Sequence, residues 1–195
     1  GVFLALVLAS YLTRLLDKKY TVIATILWST FMIGLPFCLR LLGWLPENGT
    51  TALLIAFFGI WLMGFLTLPV PPIVIDSQLV DVADDHELRT GNRAEGLIFS
   101  VRTFALKLSQ GVGSLIAGIG LELIGFPENA SPDQITEPMI DGLLFMMGPL
   151  YYVIVVCGVG FAFMYRIDKQ RHEEILGLLE KRRGSVAQDE AGRAV

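Results

Sequence analysis

An all-α fold, a polytopic bundle of membrane helices, is what three observations predict. First, 53% of the 195 residues are hydrophobic and 17% are charged, with a mean hydropathy of +0.60, whereas soluble domains carry about 25% charged residues. Second, the apolar residues gather into runs long enough to cross a bilayer core as helices, which satisfy their backbone groups internally where there is no water. Third, the cations sort by loop and leave most of the runs uncharged. Beside that segregation, the net charge of −4 carries little information.

The runs follow in order. The first, 1-GVFLALVLASYLTRLL-16, is shorter than the about 20 residues a span needs. It reads as the end of a helix that begins before Gly1, so the chain reads as a fragment. Tyr20 to Leu39 holds no charge and stops at Arg40. Thr51 to Ile75 holds none and stops at Asp76. Leu97 to Ile124 holds Arg102, Lys107 and Glu122, and Leu143 to Tyr165 is again uncharged. The bundle is expected over residues 1–166, followed by a tail over 167–195.

Cation placement sets the orientation. With the C-terminus cytoplasmic, the inner segments hold Arg14, Lys18, Lys19, Arg89, Arg93 and every Lys and Arg from Arg166 onward, while the outer loops hold Arg40 alone. This is the positive-inside pattern. The sequons at Asn48 and Asn129 fall outside; motifs this short arise by chance and matter only in a eukaryotic secretory route. In the tail, 167-IDKQRHEEILGLLEKRRG-184 spaces Ile175, Leu176, Leu178 and Leu179 for one helical face, with acids first and bases last as the helix dipole favours. A short amphipathic cytoplasmic helix on the lipid surface is expected there, with disorder over 185–195.

Several function classes drop out. Cys38 and Cys157 lie in separate apolar runs with no redox or metal spacing, and read as small buried residues. His86 and His172 have no ligand-spaced partners, so no metal and no cofactor are expected. The basic residues follow topology, which leaves no nucleic-acid footprint. No Ser/His/Asp set or phosphate loop supports an enzyme.

The charged run is the informative one. A charge at the bilayer centre costs at least about 2.5 kcal/mol. Arg102 lies five residues into the run, about 7 Å deep. It can reach the inner surface as an interfacial anchor or pair with a nearby acid. Lys107 lies ten residues in, about 15 Å, at the midplane of a core about 30 Å thick. It therefore needs a polar cavity or a partner carboxylate. At about 100° per residue, Thr103, Gly111, Ser114 and Gly118 share its face. That small, polar strip suits either a wet wall or a tight helix contact around a structural ion. Glu122 sits near the outer end. Pro69, Pro71 and Pro72 should kink or break the inner end of the preceding helix; broken helices near intramembrane charges recur in transporters.

The inner segment 76-DSQLVDVADDHELRTGNRAEG-96 reads as a solvated acidic loop without calcium-loop spacing. The order Asp81, Asp85, Glu87, Thr90-Gly91, Arg93, Glu95-Gly96, with Lys107 further on, resembles the C-terminal half of the glycoside–pentoside–hexuronide:cation symporters. This is the melibiose-permease-like branch of the major facilitator superfamily. The link 12-LTRLLDKK-19 is similar to that family's connection between helices eight and nine, so the chain would hold helices eight to twelve. The resemblance implies a secondary active transporter, working by alternating access and coupling a sodium ion or proton to a sugar or glycoside. It would lie in a plasma membrane, the inner membrane in a bacterium, beside an N-terminal half with which it shares the cavity. It implies that Lys107 lies near the substrate and cation sites, so that Thr103, Gly111 and Ser114, which share its face by helical spacing, are expected to line them. It also implies that Asp81, Asp84, Asp85, Glu87, Arg93 and Glu95 belong to a cytoplasmic gate. His86 departs from the family's usual aromatic or glycine. Relatives that carry lysolipids, and a sensor or assembly subunit with the same fold, stay open as alternatives.

Overall fold

In the computed structural model the described residues are 2–128, 131, 134–164 and 173–181, without the side chains of residues 2–4. The chain is helical throughout, with no strand among the described residues. Its elements are α1 (Val2–Leu15), α2 (Lys18–Leu41), α3 (Thr51–Thr67), α4 (Val70–Thr90), α5 (Glu95–Leu123), α6 (Glu137–Ala162) and a short α7 over 173–181. By length and apolar composition α2, α5, α6 and the α3–α4 pair can each cross a membrane. Large apolar side chains such as Ile55, Leu62, Val153 and Phe161 point outward from these helices, as a lipid-facing surface requires. The chain is thus an integral membrane protein.

α2 is the central helix and packs on α1, α3, α4 and α6. Its buried face mixes Val22 and Ile23 with Thr21, Thr25, Ser29 and Thr30. Thr25 and Ser29 can be buried because their hydroxyls bond within their own helix. Thr25 Oγ1 donates to Thr21 O at 2.6 Å, and Ser29 Oγ donates to Ile26 O at 3.1 Å. Small side chains let neighbouring helices approach closely. Gly64 of α3 lies so near α2 that a Cβ there would stand 3.0 Å from Ser29 O. Gly34 lies under the Tyr152 ring of α6, whose hydroxyl donates to Phe31 O at 2.7 Å. Ala5 and Ala9 of α1 complete the core with Val22 of α2 and Val70 and Val74 of α4.

Thr50 caps α3 by accepting the Leu53 N–H at 3.2 Å. The three prolines break the chain's path as expected, at Leu68–Pro69. Pro71 and Pro72 then fall in the first turn of α4, where no intrahelical donor is lost. The segment expected to be a loop after Asp76 is a correction: α4 continues to Thr90. Its acids and bases suit a solvated helix, and it ends where Gly91, at φ 77°, donates its N–H to Glu87 O at 2.8 Å. The connection to α5 is only 91–94. α6 begins at Glu137, earlier than the apolar run does, and contains a π turn over Met146–Leu150 around Pro149. Such a turn accommodates a residue without a backbone donor.

α5 differs from the other spans, having no buried residue. It packs on α4, and its C-terminal end touches α6, where Met146 lies over Gly120 and Ile124 over Gly142. The tail holds a short helix, α7, in which Ile175 and Leu179 are buried while Leu176 and Leu178 are exposed. Asn129, His172 and residues 185–195 lie outside the described residues.

Candidate functional site

Lys107 sits near the middle of the 29-residue α5, about 18 Å from its start. Its side chain is exposed, and it has no ion pair or hydrogen bond among the described residues. Thr103, Gly111, Ser114 and Gly118 lie on the same uncovered strip. A Cβ on Gly111, Gly113 or Gly118 would meet nothing within 4 Å. Among the described residues these glycines therefore serve no helix contact, unlike Gly34 and Gly64. Thr103 Oγ1 donates to Phe99 O at 2.9 Å and Ser114 Oγ to Gln110 O at 3.0 Å. Each hydroxyl proton is held within the helix, leaving oxygen lone pairs as acceptors along the strip. One cation, two acceptors and no bulk can meet a polyhydroxylated solute, a carboxylate or a second polar wall.

The six charged residues expected to act together lie at one end of the bundle, but their partners differ from a single Arg93-centred cluster. Asp81 is buried, and both its oxygens accept from Lys18 Nζ of α2 at 2.7 Å. Asp85 pairs with Arg89 one turn along α4 at 2.8 Å. Arg93 reaches Glu95 at 2.9 Å and Glu87 at 3.8 Å. The bond to Glu95, and then the charges of Glu95, Glu87 and Asp84, raise the Arg93 pKa, so it stays charged. Asp84 thus acts on Arg93 through its field. Lys19 Nζ donates to Phe163 O at 2.9 Å just beyond α6, fixing the start of α2 beside that end.

Three residues outside the expected set join this end: Lys18, Arg89 and Asp76. Asp76 of α4 pairs with Arg102 of α5 at 2.5 Å, a close ion pair without hydrogen-bond alignment. The ion-pair alternative for Arg102 is the one the structure adopts. Arg89 was legible in sequence as the i+4 partner of Asp85. The Lys18–Asp81 pair spans 63 positions and leaves no local signal. At the opposite end, Arg40, Glu47, Asn48, Glu137 and Asp141 line a cavity of about 780 Å³, in which Arg40 donates to Pro46 O and Asn48 Oδ1.

No group of three or more His, Cys, Asp or Glu side chains able to hold a metal occurs among the described residues. Long apolar helices, an uncovered mid-span lysine and charge pairs gathered at one end define a polytopic membrane protein of the transporter kind. The chain belongs to the MFS/sugar transport protein family, whose sequence pattern it matches over residues 1–169. That membership makes it a transporter-family chain and not an enzyme.

Among curated relatives, an uncharacterised symporter of Bacillus subtilis is 26% identical over 114 residues, 58% of this chain and 24% of the relative. A provisionally named sulfoquinovose importer of Salmonella typhimurium is 29% identical over 129 residues, 66% of this chain and 25% of the relative. A provisionally named glycoside/cation symporter of Escherichia coli is 30% identical over 112 residues, 57% of this chain and 23% of the relative. The chain thus spans about a quarter of the length of these relatives. No solved structure matches it.

Proposed function

We infer that the chain forms part of a plasma-membrane symporter, with the charged end cytoplasmic, coupling a sodium ion or proton to a sugar or glycoside by alternating access. The observation that carries this reading is Lys107: a cation at mid-span, without a partner in the described chain, on a strip of hydroxyls and glycines that nothing covers. Intramembrane charges of this kind are costly and mark ion or substrate pathways. The names of the relatives support sugar and cation as the solutes. In this reading Lys107, Thr103, Gly111 and Ser114 face the solute and a further part of the protein. Lys107 meets a carboxylate or responds to the bound cation.

The charged end supports the gate. Asp81, Asp84, Asp85, Glu87, Arg93 and Glu95 act with Lys18 and Arg89 to hold one conformational state. Exposed pairs contribute about 1 kcal/mol or less each, so several weak pairs around the half-buried Lys18–Asp81 pair make a latch that can open. Vesicles containing the full-length protein test this function. With an imposed sodium or proton gradient and a panel of labelled hexoses and glycosides, uptake should rise with the gradient and collapse with an ionophore. Saturable binding without uptake would instead mark a sensor.

A further inference from the structure

We propose that Asp76 and Arg102 are positioning residues for Lys107: their ion pair sets the rotation of α5 and so aims the Lys107 strip away from the bundle. The inference rests on the reading of Lys107 as a site residue and extends it to the device that orients it.

The case begins with how little else fixes the half of α5 that carries Arg102 and Lys107; the contact with α6 at Gly120 lies more than three turns beyond Lys107. The helix buries no residue. Along its inner half it meets α4 across an apolar groove of about 550 Å³, with Pro71, Pro72 and Ile75 on one side and Ile98, Val101 and Ala105 on the other. Apolar contacts of this sort are non-directional, and lipid competes with them equally well. They hold α5 near α4 without fixing its rotation. Between α5 and any other helix, the one polar contact among the described residues is Arg102 with Asp76. Arg102 is five residues before Lys107, so the two side chains leave the helix about 140° apart. With Arg102 turned to α4, Lys107 must point to the open side.

The anchor is itself well placed. Asp76 follows the proline break at Leu68–Pro69 by about two turns of α4, and α4 from Val70 onward is tied to the core through Val70 and Val74. The Arg102 side chain is 25% exposed and that of Asp76 45% exposed, before any lipid covers the groove. Membrane hydrocarbon over the pair strengthens the attraction and penalises separation of the charges. A pair with that character specifies geometry even where it adds modest stability.

Cysteine accessibility tests the proposal without needing a transport substrate, so its outcome is independent of any uptake result. In a cysteine-free full-length background, Gly118→Cys places a thiol on the Lys107 strip and Ile116→Cys places one opposite. A membrane-impermeant methanethiosulfonate reagent should favour position 118. Asp76→Asn and Arg102→Gln should each lower the 118-to-116 labelling ratio about fivefold, the shift that loss of a half-exposed pair can produce. The exchanged variant Asp76→Arg with Arg102→Asp should restore it. Single variants that reach the membrane with an unchanged ratio would overturn the proposal. If the single variants fail to accumulate, recovery of both protein and ratio in the exchanged variant supports it, and failure of that variant to recover them overturns it.

Discussion

The interfaces around α2 and the strip on α5 are both built from small and hydroxyl residues, yet they do opposite things. On α2, Thr21, Thr25 and Ser29 recur every four residues and are buried, and the glycines met there, Gly64 and Gly34, sit against neighbouring atoms. On α5, Thr103, Gly111, Ser114 and Gly118 recur in much the same rhythm and are exposed, and the two glycines meet no neighbour among the described residues. Composition does not separate the two, whereas the lysine does. A small-residue strip without a charge can close against another apolar helix. One that carries Lys107 would leave an uncompensated cation if it did so.

The largest expected effect lies on the packed side. Lys18→Ala removes the lysine that both oxygens of the buried Asp81 accept from, and should cost about 2–3 kcal/mol, read as a lower melting temperature in detergent. Adding Asp81→Asn should recover part of that loss, because the buried charge goes with it. Next comes a paired test of the comparison itself. Gly34→Leu drives a side chain into the Tyr152 ring and should cost about 1–3 kcal/mol. Gly118→Leu should change stability by less than about 0.5 kcal/mol while lowering gradient-driven uptake. Equal losses of stability would show that α5 is packed after all. The smallest loss on the packed side is Thr25→Val, which removes a hydroxyl that bonds only within its own helix. Its cost should stay at about 1 kcal/mol in the same melting assay.

Much of this architecture is legible in the sequence, for a physical reason. Uncharged runs near the length of a bilayer core have few other stable outcomes, so the spans from Tyr20, Thr51, Leu97 and Leu143 all appear as helices. Boundaries are less legible where water takes over. Asp76 to Thr90 is polar enough to read as a loop, but its i,i+4 charges and the stop at Gly91 suit a helix equally. The strip around Lys107 follows from helical period alone, because α5 is regular. The partners of the charges do not, since Lys18 meets Asp81 and Arg102 meets Asp76 only after the helices are placed. The buried rhythm Thr21, Thr25, Ser29 was available to sequence reasoning, but nothing local says that it closes while the similar rhythm on α5 stays open.

The most direct measurement is gradient-driven uptake of glycosides by vesicles holding the full-length protein with Lys107→Ala. The variant should reach the membrane and melt close to the parent, since Lys107 is exposed and makes no hydrogen bond or ion pair among the described residues. Its coupled uptake should fall by at least about tenfold, the effect of about 1.4 kcal/mol. Near-normal coupled uptake would contradict the account.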